Sequence, residues 1–376
     1  MSLNTPVVNR KKVSLEGTKK KVITGFWGSP DSNNILNFSG PADYFETKNK
    51  NEFYKWLDSV PNTNKETFVL IPFSDKVEPY IGFVPENILD TKAQKLIPKS
   101  LRKTTPKCLS RLETQNREDW IKHVNDVKHL IFEGKVSKVV LARKISLILD
   151  GNLELMSLFS SFLKSDSYKI GLENDDLSFL TVSPELLFKK KGDVIQSHAI
   201  AGTRSRGKNT SADLSFERDL KGSKKECEEH KFVLDAVSSS LNQICNTVSL
   251  ENSFEILKQA KVQHLKSTLE GQLNADQPLS KIISSLFPTP AVAGMPKEKS
   301  LALIDDLEKE DRGYYSGLVG RICGSSSEFV VNIRTAFLKK NIIELWSGAG
   351  IVADSNGNEE WNELEQKVQH YLDLFI

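Results

Sequence analysis

The residues best suited to chemistry are two pairs of glutamates at one spacing. Glu226 and Glu229 stand in KKECEEHKFVLDAV, and Glu360 and Glu363 stand in EEWNELEQK. A three-residue step puts both carboxylates of a pair on one face of a helix, and Lys367 shares the second face. If the two faces meet, four carboxylates would suit Mg²⁺, which takes carboxylate and water oxygens at octahedral geometry. No His or Cys lies at ligand spacing beside either pair, which argues against zinc. Cys227 falls about 100° around the helix from Glu226 and should not join a site on that face. The same spacing also describes two unrelated, solvated charged faces, and spacing alone does not choose between them.

Other residues become interesting only if the fold encloses them. Lys138 opens the apolar run KVVLAR; at an open strand end it is solvated, but enclosed it could serve as a general base. Glu185 follows Pro184; among apolar neighbours it would keep its proton and could act as an acid. His264 in VQHL reads as a polar residue at the end of an element. Arg334 lies in EFVVNIRTAFL, read as one strand over 328–338, where it either faces solvent with Asn332 or grips a carboxylate in a bidentate pair. After the apolar NIIELW comes Ser347-Gly348-Ala349-Gly350, read as a turn whose backbone N–H groups could approach an anion. No P-loop Lys-Ser/Thr follows it, so phosphate binding is poorly supported.

Those residues need elements to hold them. Up to about residue 115 the chain is weakly patterned: KKVITGFWG, FVLIPF and YIGFV read as short strands, with surface connections over 47–52 and 90–108. From Asn116 the pattern sharpens. NREDWIKHVNDVKHLIFEGK carries Trp120, Ile121, Val124, Val127, Leu130 and Ile131 at helical spacing, with Gly134 where a helix would stop. Strand KVVLAR, helix LELMSLFSSFLK, and strands YKIGLE, SFLTV and LLFKK follow. The polar stretch 205–222 reads as a mobile loop. The next helix begins near Lys224, with Phe232, Val233, Val237 and Leu241 as its apolar stripe. LFPTPAVAGMP is too rich in proline to be regular throughout. This alternation predicts an α+β class: a large, curved, mostly antiparallel β-sandwich with helices on its outside. A single domain over 1–376 is expected, with 1–115 as its less defined part and 116–376 as the motif-bearing region.

Composition narrows the function classes. The chain has 376 residues, 39% hydrophobic and 27% charged, with a net charge of +2 and dispersed basic residues. Nothing there points to nucleic acid or an anionic membrane as partner. No apolar stretch approaches the ~18 residues of a membrane span, and the N-terminus lacks the apolar core of a secretory signal. Four scattered cysteines suit free thiols, so a cytoplasmic monomer is the expectation.

Taken in order, KVVLAR, SPELL, AGTR, KECEEH, VQHL, FPTPAVAG, DRGYYSG, IRTA, SGAGIV and EEWNELEQK resemble the chorismate-utilising enzymes, a group that includes isochorismate, salicylate, anthranilate and aminodeoxychorismate synthases. The resemblance covers about residues 116–376 and implies chorismate as substrate and Mg²⁺ as cofactor. It implies Glu229 and Glu363 as direct metal ligands, with Glu226 and Glu360 acting through water or toward the substrate. Gly350 and Lys367 would hold the ring carboxylate, and Tyr315 and Arg334 the enolpyruvyl carboxylate. Gly202, Thr203 and Ala291 match substrate-contacting positions, and His264 a pocket-lining one. Relatives that use ammonia resemble one another in having Gln where this chain has Lys138, so the resemblance implies water as nucleophile. Lys138 would be the base, Glu185 the acid and isochorismate the product. Salicylate synthesis and a ligand-binding relative without turnover are the alternatives. The first is favoured by Thr203 and opposed by Ala291; the second is opposed by retention of both acid and base.

Overall fold

Local signals start the helices and burial orders the strands. The computed structural model describes residues 17–97, 106–259, 261–275 and 277–375. The chain runs β1 (Lys19–Gly28), β2 (Asn34–Thr47), α1 (Lys50–Ser59), β3 (Thr67–Ile71), β4 (Tyr80–Pro85), β5 (Ile88–Lys92), the single turn α2 (Ala93–Leu96) and β6 (Cys108–Glu113). It continues with α3 (Arg117–Phe132), β7 (Lys138–Leu149), α4 (Leu155–Ser160), β8 (Tyr168–Glu173), β9 (Ser178–Ser183), β10 (Leu186–Lys191) and β11 (Val194–Ser205). Then come α5 (Thr210–Gly222), α6 (Lys224–Asn242), β12 (Cys245–Lys258), β13 (Val262–Leu273), α7 (Leu279–Leu286), β14 (Gly294–Met295) and α8 (Lys297–Leu307). Strands β15 (Leu318–Cys323), β16 (Ser326–Val331), β17 (Thr335–Lys339) and β18 (Ile342–Ile351) lead to α9 (Gly357–Leu372).

Every described strand pairing is antiparallel. One hydrogen-bonded path runs β12-β13-β11-β10-β16-β15-β3-β4, and continues β2-β1-β8-β9-β17-β18-β7-β6. Short β5 lies on β2, and short β14 on β7. Such a sheet must fold over to bury its faces, and the cores show that it does. One core is built almost wholly from strands, with Trp27, Phe38, Phe68, Phe83, Tyr168 and Val330. Two more lie under helices, one beneath α1, α6 and α7 and one beneath α4 and α9. The expected α+β sandwich with outer helices is therefore the observed architecture. Among the described residues no helix is long and apolar enough to cross a membrane.

Several local readings need correction. The stretch 205–222 is mostly helix: Asn209 caps α5 by accepting from Ala212 N–H, and Leu220 is buried beneath it. Region 34–47 is a long strand and 50–59 a helix capped by Asn49; within 47–52 the exposed Lys48 and Asn49 are the expected surface connection, while Lys50, Asn51 and Glu52 already belong to the helix. Of the connection expected over 90–108, 90–96 belongs to β5 and α2, and 98–105 lies outside the described residues. Phe232 is 39% exposed and off the buried stripe of α6, where His230 continues Glu226 toward Val233 and Val237.

The most consequential correction concerns 328–338, which is two strands. The chain breaks at Asn332–Arg334, and Arg334 takes φ = 55°, a costly conformation for a side chain with a Cβ. Asn332 holds the break. Its Oδ1 accepts from the Thr181 and Thr335 hydroxyls, and its Nδ2 donates to Tyr314 O at 2.8 Å, all in the dry interior. Asn332→Ala would take one partner from each of three buried polar groups, leaving the two hydroxyls to each other and Tyr314 O to Gly317 N–H. It should lower the unfolding free energy in urea by about 1–3 kcal/mol; a variant as stable as the parent would show that the break is held otherwise.

Candidate functional site

One cleft gathers the polar residues from distant parts of the chain. Lys138 comes from β7, Glu185 from the β9–β10 junction, Gly202 and Thr203 from β11, Glu229 from α6 and His264 from the interior of β13. Ala291, Tyr315 and Arg334 come from connections, Gly350 from β18, and Glu363 and Lys367 from α9. Glu226 and Glu360 do not line it.

Each wall has a local reason. In α6, Ser223 caps the helix through Glu226 N–H, and burial of Val233, Val237 and Leu241 turns its first turns toward β11. In α9, Asn356 caps and Leu364, Val368 and Tyr371 are buried, so Glu363 and Lys367 flank a dry face. The Ser347–Gly350 run does not form a turn: it lies inside β18, paired with β7, and neither of its glycines has positive φ. These glycines supply room. A Cβ on Gly350 would lie 2.6 Å from Lys138 Cε and 2.9 Å from Glu229 Oε1.

The cleft is electrostatically dense. Lys138 is 1% exposed and its Nζ lies 2.8 Å from Glu229 Oε1. Lys367 pairs with Glu363 at 2.5 Å and donates to Gly348 O at 2.8 Å. Burial pushes Glu363 upward, but Lys367, helped by Lys225, outweighs it and holds the carboxyl below its usual range. Glu185 is 5% exposed, and burial pushes its carboxyl up to about 7 against the pull of Lys138, Lys367, Thr289 and Arg334. Burial, then Arg334 and Lys367, push His264 down to about 3, so its imidazole is neutral. With Nδ1–H donating to Gly202 O at 3.1 Å, its Nε2 accepts from Arg334 Nη2 at 3.4 Å. Arg334 Nη1 also donates to Lys367 O. Among the described residues this guanidinium, 9% exposed, has no carboxylate partner. A buried cation left so favours an anionic ligand.

Tyr315, its hydroxyl pushed up to about 12 by burial, remains a donor. Its ring stacks on Trp346 at 5.4 Å between centroids. Trp346 also lines the cleft and escaped the sequence reading as a site residue. The signal was its two-residue step to Gly348 and Gly350, which puts all three on one strand face.

The outer glutamates brace the walls. Glu226 accepts from Thr203 N–H at 2.9 Å and from Arg204 Nη1 at 2.7 Å, and so holds the Gly202–Thr203 kink. Glu360 pairs with Lys225 at 3.2 Å. Both are raised, first by burial and then by the inner glutamate of the pair, Glu229 or Glu363. Among the described residues no three His, Cys, Asp or Glu stand close enough to hold a metal ion. The donor set nonetheless fits Mg²⁺ in kind. Two carboxylates face the cleft, and each adds repulsion to a buried carboxylate behind it that a cation would relieve.

The fold and this cleft define an enclosed polar site that presents a buried cation, Arg334, without a carboxylate partner among the described residues. A family model described as chorismate binding enzyme matches residues 84–373, and this chain belongs to that family. It is 38% identical over 240 residues to isochorismate synthase 2, chloroplastic, of Arabidopsis thaliana, covering 63% of this chain and 43% of that protein. It is 33% identical over 260 residues to anthranilate synthase component 1 of Saccharolobus solfataricus, covering 68% and 62%. The chain thus spans about half the length of these curated relatives. Among solved structures, MenF, the menaquinone-specific isochorismate synthase from Escherichia coli, superposes with a TM-score of 0.81 at 21% identity, covering 96% and 89%. That likeness speaks for the fold.

Two outcomes follow from the geometry. Gly350→Ala meets the flexible ends of Lys138 and Glu229, so the melting temperature should move little while kcat/KM on chorismate falls at least about tenfold, because small misplacements are costly. Unchanged turnover would show that the close approach is dispensable. Glu185 titrates near 7 when folded and at the ordinary 4.5 when unfolded, so only the unfolded chain ionises between those values. The cost of holding it protonated in the fold is therefore absent below about pH 4.5 and grows as pH rises toward 7. Glu185→Gln should gain stability over the parent across that window; parallel stability–pH curves would contradict the assignment.

Proposed function

We propose that this protein converts chorismate to isochorismate. The observation that supports this best is the meeting of Lys138 and Glu185, one ion-paired and one with its carboxyl raised to about 7 by burial, in a cleft that also offers the unpaired Arg334. Arg334 and Tyr315 hold the enolpyruvyl carboxylate by charge and hydrogen bonding, and Lys367 holds the ring carboxylate where Gly350 leaves room. Bound by Glu229 and Glu363, Mg²⁺ would supply positive charge to fix that carboxylate. Lys138 acts as base in its neutral amine form, in which its contact with Glu229 is no longer an ion pair. It takes a proton from the water that attacks C2. The two conjugated ring double bonds shift together, from C1–C2 and C5–C6 to C1–C6 and C4–C5, the C4–O bond breaks, and Glu185 gives its proton to the departing hydroxyl. One water enters and one leaves, so the change is an isomerisation.

Thr203 faces the same cleft and is the feature that favours onward loss of pyruvate to salicylate. Ala291, which also lines the cleft, adds no hydroxyl and little bulk to press the enolpyruvyl chain over the ring, so the reaction stops at isochorismate. Pocket differences of this size are worth only about 1–3 kcal/mol, so product analysis has to decide.

Purified protein incubated with chorismate and Mg²⁺ should yield isochorismate by chromatography, with neither salicylate nor, when ammonium is added, anthranilate. Chelator should abolish turnover. Lys138→Ala and Glu185→Gln should each lower the rate roughly a hundredfold. Salicylate as the main product, or near-normal rates in either variant, would overturn the reading.

A further inference from the structure

Strand β7 carries Lys138, and one of its edges is incompletely paired. Strand β14 covers only Lys138 and Val139 on that edge, and β6 ends with Glu113 opposite Ile145. Between them, Val140 N–H donates to Ala293 O at 2.9 Å, but no strand serves Val140 O or Ala142 N–H. Two side chains do. Arg312 Nη2 donates to Val140 O at 2.7 Å, and Glu308 Oε1 accepts from Ala142 N–H at 2.8 Å. The two residues are themselves joined, with Arg312 Nε 2.9 Å from Glu308 Oε2 and Nη2 on Oε1. Nη1 donates to Val292 O at 2.8 Å, and the Arg312 carbonyl accepts from Tyr315 N–H at 2.9 Å. Both side chains are buried, at 1% and 6% exposure, yet neither lines the cleft.

We propose that the Glu308–Arg312 pair is a positioning device that stands in for a missing strand segment and holds Lys138, the Ala291 loop and Tyr315 in one geometry for the isomerisation proposed above, on which this inference rests. Through Arg312 the pair ties two backbone carbonyls from separate walls of one cleft, Val140 O on β7 and Val292 O in the Ala291 loop. Arginine is required for the geometry. Its planar fork reaches a carboxylate and two carbonyls together, whereas a lysine ammonium keeps the charge opposite Glu308 without spanning all three.

The test uses Arg312→Lys, which keeps the buried charge paired, alongside Glu308→Gln, which keeps an acceptor for Ala142 N–H. Arg312→Lys should fold, by near-ultraviolet circular dichroism, and lose about ten- to a hundredfold in kcat on chorismate. Glu308→Gln should lose less. Hydrogen exchange in Arg312→Lys should quicken over 138–142 and 289–293 and stay parental in α6 and β13. Parental exchange in both segments would overturn the proposal, as would exchange quickened equally everywhere, which marks a general stabiliser. Parental kcat in Arg312→Lys would overturn it too. If the unmodified protein forms no isochorismate, the reading of the reaction fails, and the exchange pattern still decides whether the pair positions these walls.

Discussion

Charges withdrawn from water must be compensated, and the cleft obeys this constraint unevenly. Lys138 has Glu229 and Lys367 has Glu363, but Arg334 is left with a carbonyl and a neutral imidazole, and Glu185 stays near neutrality because burial outweighs three nearby cations. Taking apart a matched buried pair is costly, so the groups freest to meet a ligand's charge are the ones left uncompensated. The residual positive charge at Arg334 and the retained proton on Glu185 are what an anionic substrate with a departing hydroxyl can use. The rest of the fold keeps that imbalance dry.

The supports are as informative as the lining. Glu226 ties α6 to the kink at Gly202 and Thr203, and Glu360 ties α9 to Lys225 on α6. The two helices that bring in the inner carboxylates are thereby bound to a wall and to each other. Strand β18 contributes by what it lacks, since Gly350 leaves the space that Lys138 and Glu229 occupy.

Membership of the family settles less about chemistry than about shape. Relatives named as isochorismate synthase and as anthranilate synthase match this chain at 38% and 33% identity. One architecture therefore hosts more than one reaction, and the choice must lie in a few side chains at the cleft. Lys138 is the side chain on which the water-using reading turns, because water must lose a proton to attack where ammonia need not.

What the sequence determined by itself was whatever neighbours along the chain can decide. Asn116 and Gly134 mark the ends of α3, the glutamate pairs follow from the helical repeat, and the strands from Tyr168 to Lys191 follow from apolar runs broken by turns. Readings failed where a distant partner decided the outcome. The polar 205–222 has a local cap in Asn209, but the burial of Leu220 against the fold holds the helix, and the strand at 328–338 breaks because Asn332 bonds to Thr181 and Tyr314. The glycines of β18 could not be told from a turn until β7 lay beside them. Nor could the sequence show that Glu229 and Glu363 face the cleft while Glu226 and Glu360 stand behind it. The three-residue step leaves the members of each pair about 60° apart on a helix. Only the packing of α6 and α9 against the sheet decides which of the two looks inward.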